Sequence, residues 1–401
     1  GFFAFLYTSG VTSIVTLQFR RGYKQFIVYN LFILCYNLLL EKRGESLGCF
    51  PRLIMDYKDI NTYDYDLDES LIAQTPIKER DHSKLLVVNK NNGKYVDEVF
   101  YNIINYLRKG DTLVLNNTKV LPSRIIGTKT ETGAKIEILL LKELESDMWE
   151  CLVRPQKRVK KGTVIKFEDD FECEVIDVFN DGITHVKFNY KGIFVEHLNS
   201  VGAMPLPPYI HESLKENDRY NTVYAEKTGS AAAPTAGLHF TKELLEQIKE
   251  KGINILYVTL NVGLGTFRPV SEDDITKHDM HSELYEISED VAQKLNEAKK
   301  NNNRIICVGT TSLRTLEANI QKYGEFKSTI EETDIFIYPP HKFLSADGLI
   351  TNFHLPKSTL VMLVSAFSSV DIIKNAYMHA QEEKYKFFSF GDAMFLTEEE
   401  L

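Results

Sequence analysis

Cysteine is scarce in this chain: five residues in 401, of which only Cys151, Cys173 and Cys307 lie beyond residue 54. Those three are far apart and odd in number, which excludes a disulfide framework and a zinc ribbon and points to a reducing compartment, the cytoplasm. A basic excess is missing too, with 47 Lys and Arg against 56 Asp and Glu and a net charge of −9, which argues against nonspecific binding to nucleic acid. Methionine is absent until Met55.

Residues 1–54 are also poor in acids and free of turn chemistry. Three readings fit them. FFAFLYTSGVTSIVTLQF and FIVYNLFILCYNLLL could seek a membrane, although the Thr, Ser, Gly and Gln of the first insert poorly. A targeting sequence would need a small-residue cleavage site, and none stands out. The reading adopted is translated sequence upstream of a start at Met55, so residues 1–54 are expected to be a non-native or disordered extension and are set aside from fold reasoning. Removing their six Lys/Arg and two Asp/Glu leaves 41 against 54, a net of −13.

What is present is ordinary soluble globular composition, 43% hydrophobic and 26% charged, with room for two or three domains. From about Arg124 to Phe188 strand follows strand (RIIGTKT, AKIEILLL, MWECLVRP, GTVIKFED, FECEVIDVF, ITHVKFNY), which predicts a small antiparallel barrel. From Thr241 the rhythm becomes helix, strand, helix, strand, the mark of an α/β layer with a largely parallel sheet. Residues 56–117 share that mixed character. The expectation is therefore a larger α/β domain, barrel-like, built from residues 55–122 and 204–401. The β-barrel is inserted as residues 123–203, and the Pro-rich MPLPPYI makes the return crossing.

Several runs carry candidate chemistry. GSAAAPTAGLHF, residues 229–240, reads as a site loop: small residues at Ala233 and Thr235 let backbone approach a ligand, Pro234 stiffens the turn, and Gly237 relaxes the backbone before His239. Thr241 is placed to cap the following helix and Gly252 to end it. NVGLGTFRPV offers Gly263 and Gly265 but is no dinucleotide fingerprint, since Arg268 replaces the third glycine. VGTTSLR puts Thr310, Thr311 and Arg314 at a helix start, suited to an anion. DGLITNFHLPKST crowds Asp347, Asn352, His354 and Lys357 into what reads as a short loop. KHDMHSE sets His278 and His281 three apart with Glu283 beyond; metal ligation is a minor option there and polar contact with substrate the preferred one. VRPQKRVKKG gathers Arg154, Lys157, Arg158, Lys160 and Lys161 on a barrel hairpin, a candidate surface for RNA phosphates. A tight connection, a plain helix cap, a core histidine and a solvated charged hairpin are the plainer readings of the same runs.

With IAQTPIKERDHSKLLV, LNNTKVLPSRIIG, YAEKTGSAAAPTAGLHFT, VGLGTFRPV, HDMHSE, VGTTSLRTLE, DGLITNFHLPKSTL and FFSFGDAM in register, the chain from about Asp64 to Phe395 resembles the S-adenosylmethionine:tRNA ribosyltransferase-isomerase family of queuosine biosynthesis. The resemblance implies a tRNA-modifying enzyme that takes the ribosyl group of S-adenosylmethionine onto the aminomethyl group of a 7-deazaguanine base at the wobble position, releasing adenine and methionine and leaving epoxyqueuosine. It implies no metal and no cofactor beyond this co-substrate, and a monomer without a membrane role. Such a reaction needs a base beside the sulfonium and an acid for adenine. His239, His281 and His354 are the proton-transfer candidates, Glu283 and Asp347 their orienters or cation contacts, and Arg314 the partner of an anionic group. The chain departs from the family pattern at Asn261, where a histidine is usual, at Lys84 and Lys119, and at His341. Two other classes remain as alternatives: an S-adenosylmethionine-dependent methyltransferase, for which the Gly-rich loop is missing, and a non-catalytic RNA-binding module.

Overall fold

The computed structural model describes residues 55–179, 182–263 and 270–401 and the backbone of two strands before them; Gly265 and the rest of residues 1–54 lie outside the described residues. Within Gly1–Met55, β1 (Phe2–Thr8) pairs antiparallel with β2 (Val11–Leu17). The sequence reading expects no structure there. Both segments are rich in aromatic and β-branched residues around a Ser9-Gly10 connection, a hairpin pattern that it passes over.

Asp56–Leu401 is a second compact unit. It opens with β3 (Lys84–Asn89), β4 (Tyr95–Val99), β5 (Thr112–Asn116) and β6 (Thr118–Val120). Next come β7 (Arg124–Lys129), β8 (Lys135–Glu145), β9 (Met148–Arg154), β10 (Val164–Glu168), β11 (Phe171–Val178) and β12 (Ile183–Tyr190). These six close into an antiparallel barrel, because β10 pairs with β11 on one side and with β7 on the other. Period-two patterning drives it: Phe171, Cys173 and Val175 are buried among Ile138, Val186 and Phe188, while Glu174 between them is exposed. Closure demands Gly127, where a Cβ would lie 2.5 Å from Ile165 of the closing strand. Through α1 (Phe194–Val201) and the two-residue β13 (Gly202–Ala203) on β7, the chain leaves the barrel.

The remainder is β14 (Lys227–Ser230), α2 (Lys242–Glu250), β15 (Asn254–Leu260), β16 (Glu283–Ile287), α3 (Glu289–Lys300), β17 (Ile305–Val308), α4 (Gly309–Tyr323), β18 (Thr329–Thr333), β19 (Gly348–Asn352), α5 (Thr359–Phe367), α6 (Val370–Glu382) and β20 (Ala393–Thr397). A nine-stranded sheet runs β18-β16-β15-β5-β17-β19-β20-β3-β4. It is mixed rather than largely parallel: β15, β5, β17 and β19 run together, but β20 opposes β19. Two helices in succession, not one, join those last strands, and they return the chain to the end of the sheet it left. Every residue of β5, β17, β19 and β20 is buried, the unbroken apolar pattern of strands covered on both faces. Among the described residues no single helix is long and apolar enough to cross a membrane.

This topology gathers the C-terminal ends of β5, β15, β17 and β19 with the first residues of β20 and β3 along one edge. Ligands bind in α/β sheets at such strand ends.

Candidate active site

Asn352, the last residue of β19, sits at that edge. Its Oδ1 accepts the Thr235 hydroxyl at 3.1 Å, and its Nδ2 donates to Nε2 of His239 at 3.2 Å. With Nε2 accepting, the neutral imidazole carries its proton on Nδ1, which faces Oγ of Ser83 at 2.7 Å. Phe100 stacks on the ring at a centroid distance of 4.9 Å. Burial, helped by the Arg80 charge, pushes the His239 pKa down to about 3. Both ring nitrogens are thus engaged inside the protein, and His239 acts on the cleft through Asn352. Beyond it, the Thr241 hydroxyl caps α2 by accepting from the Leu244 N–H at 3.1 Å, and Gly252 follows the helix at φ +83, as its sequence pattern predicts.

His354, two residues past Asn352, is the histidine that lines the cleft. Its N–H donates to the Tyr377 hydroxyl at 3.0 Å, its carbonyl accepts the Tyr65 hydroxyl, and Oγ1 of Thr351 lies 2.7 Å from Nε2. Among the described residues no hydrogen bond engages Nδ1. Burial brings this imidazole also to a pKa of about 3, so it is neutral near pH 7. Lys357 holds the loop in a left-handed conformation, φ +57, its ammonium 3.0 Å from Asp64.

Around His354 the cleft is lined by Ala233, Pro234 and Thr235 from the small-residue loop, Val262 after β15, Thr310 and Thr311 of α4, and Asn352. Gly237 does not join them: a Cβ there would fall 2.0 Å from the Tyr224 hydroxyl, so this glycine serves packing rather than ligand approach. Tyr209, Phe388 and Ser389 complete the wall and are missed by the sequence reading. Tyr209 and Ser389 share a hydrogen bond of 2.7 Å, and Phe388 adopts φ +70, which no residue-type signal announces.

Other candidates are placed elsewhere. Residues 347–359 are not one short loop, because the buried strand β19 lies within them. Asp347 therefore stands at the far end of that strand, about 17 Å from Asn352 at ~3.3 Å per residue, with its carboxylate accepting the Ile305 N–H at 2.8 Å. His278 and His281 lie in loop, not helix, and His281 is exposed. Glu283 turns its carboxylate to the Gly263 N–H at 3.0 Å and to Arg314. One anionic partner of Arg314, at Nη1, is thus a residue of the chain itself, and among the described residues no three His, Cys, Asp or Glu gather to hold a metal.

The family model described as queuosine biosynthesis protein matches residues 60–396. The chain belongs to the queuosine biosynthesis protein family. Proteins named S-adenosylmethionine:tRNA ribosyltransferase-isomerase from Staphylococcus haemolyticus and Macrococcus caseolyticus are each 56% identical to it over 84% of this chain and 99% of their own length. The crystal structure of S-adenosylmethionine tRNA ribosyltransferase from Thermotoga maritima is 38% identical over 84% of this chain and 99% of that one, with a TM-score of 0.49.

The five basic residues Arg154, Lys157, Arg158, Lys160 and Lys161 are all exposed. Their segment is no hairpin, since β9 and β10 are not neighbours in the barrel; it crosses from one strand to the other. Lys161 pairs with Asp177 at 3.2 Å. Asn261, at the position where the family pattern favours histidine, accepts the Thr118 hydroxyl at 3.0 Å and stays out of the cleft lining.

Proposed function

We propose that this chain is an S-adenosylmethionine:tRNA ribosyltransferase-isomerase that transfers and isomerises the ribosyl group of S-adenosylmethionine onto the 7-aminomethyl-7-deazaguanine wobble base of tRNA, yielding epoxyqueuosine-tRNA, adenine and methionine. The observation that carries the reading is 56% identity to proteins so named across 99% of their length. Their activity comes with a cleft to perform it in. The donor lies along the small-residue loop at Ala233–Thr235 and the start of α4. His354, which faces the cleft, takes the proton beside the sulfonium. His239 keeps Asn352 and Thr235 in place. The α/β part, 55–122 and 204–401, holds the donor, and the inserted 123–203 offers its exposed cations to tRNA phosphates.

S-adenosylmethionine is consumed as co-substrate and no further cofactor takes part. The enzyme works as a monomer, and in the cytoplasm, a reducing compartment in keeping with the free, buried state of Cys151, Cys173 and Cys307. The test is incubation of the chain with S-adenosylmethionine and tRNA carrying the aminomethyl-deazaguanine base, followed by mass spectrometry. Adenine and methionine appearing together with epoxyqueuosine support the proposal. S-adenosylhomocysteine means methyl transfer instead, and tRNA binding without turnover means a binding module.

A further inference from the structure

Four buried side-chain polar atoms without a hydrogen-bond partner among the described residues lie together on one helix. α4 leaves β17 without a turn, and no side chain caps its first N–H groups. Gly309, Thr310 and Thr311 of its first turn line the cleft. Thr311, Arg314 and Thr315, three and four residues apart, share one face. Arg314 is 3% exposed and Thr315 fully buried. Glu283 takes Nη1 of Arg314, but Nε and Nη2 of the guanidinium and the hydroxyls of Thr311 and Thr315 have no partner among the described residues. Buried donors left unmade are costly, and a guanidinium carries its N–H groups in a fixed planar fork. The Nε–Nη2 edge is one of the edges that grips a carboxylate through two parallel hydrogen bonds.

We infer that the Nε–Nη2 edge of Arg314, with the hydroxyls of Thr311 and Thr315, seats the α-carboxylate at the methionine end of the donor; the identity of that donor rests on the function proposed above. A terminal carboxylate fits the burial, whereas a phosphodiester flanked by two sugars would need the site open to solvent. Glu283 holds the guanidinium in position and already balances its charge. A donor that brings its own ammonium leaves the cluster neutral, which a poorly solvated site favours. Thr311 belongs both to the cluster and to the cleft wall, and is where the two meet.

Calorimetric binding of S-adenosylmethionine and of decarboxylated S-adenosylmethionine to the full chain, without tRNA, tests this. The wild type is expected to favour the carboxylate-bearing compound by about 10- to 100-fold, the worth of charge-assisted hydrogen bonds. Arg314→Met closes the gap to within about threefold by weakening S-adenosylmethionine alone. Thr315→Val, near-isosteric and leaving the Glu283 pair intact, narrows it without risk to the fold. Equal binding of the two compounds by the wild type, or discrimination undiminished in both variants, overturns the inference and leaves the proposed function standing. No binding of S-adenosylmethionine, either to the chain alone or with tRNA lacking the aminomethyl-deazaguanine base present, overturns both.

Discussion

Asn352 donates to Nε2 of His239 at 3.2 Å, tying the end of β19 to the end of the small-residue loop. The bond fixes a tautomer: with Nε2 as acceptor, Nδ1 bears the proton toward Ser83. A histidine so placed is a buried neutral strut, and that has consequences for pH.

His239 and His354 both have pKa values lowered to about 3, against an ordinary value of 6.5. Between those limits the unfolded chain binds protons that the folded chain refuses. Stability is therefore fully present above pH 6.5 and falls as acid is added, by about 1.4 kcal/mol per pH unit for each histidine. Asp392, whose carboxyl burial raises, acts in the opposite sense at the acid end. Urea denaturation at pH 7, 6 and 5 should show the decline, and His239→Gln should halve its slope. A flat profile would contradict the buried neutral state.

The two histidines should separate in kinetics. His354→Asn is expected to cost more than a hundredfold in turnover with the fold retained, because it removes the imidazole that faces the cleft. His239→Gln, which keeps a hydrogen-bonding group for Asn352, should cost under about tenfold and act mainly on stability. Equal losses in both would place His239 in the chemistry itself.

The barrel, its insertion and the loops around Pro234 and His354 were legible because period-two strands and small-residue runs are local signals. The position of Asp347 was not. GLITN is taken into a loop because polar residues flank it, yet it is a strand buried on both faces, and its pairing with β17 and β20 shows that Asp347 and His354 flank its two ends. The Glu283–Arg314 pair and the wall of Tyr209, Phe388 and Ser389 join residues far apart in sequence, which no single run can reveal.

Gly237 gives a test of packing apart from chemistry. Its added Cβ would stand 2.0 Å from the buried hydroxyl of the half-buried Tyr224. Gly237→Ala is expected to destabilise by about 1–3 kcal/mol, the usual cost of overpacking. Tyr224→Phe in the same chain should recover part of that loss, because it deletes the clashing oxygen. Chemical denaturation of the two single variants and the double variant measures the coupling; additive effects would mean that the clash is relieved elsewhere.

The exposed cations between β9 and β10 are the last question, since the chain as a whole is acidic, with a net charge of −9. An acidic protein repels tRNA at long range, so a local basic surface has to supply the contacts, and salt screens both effects. Lys157 and Lys160 are exposed and show no ion pair among the described residues, unlike Lys161 with its partner Asp177. Changing both to Glu should weaken tRNA binding uniformly across sequences and lower the slope of log affinity against log salt by about two. Affinity for S-adenosylmethionine should stay unchanged, because the substitutions lie on the barrel and the cleft is built from the other strands. An unaltered salt slope would assign tRNA binding to another face and leave these lysines as solvated surface.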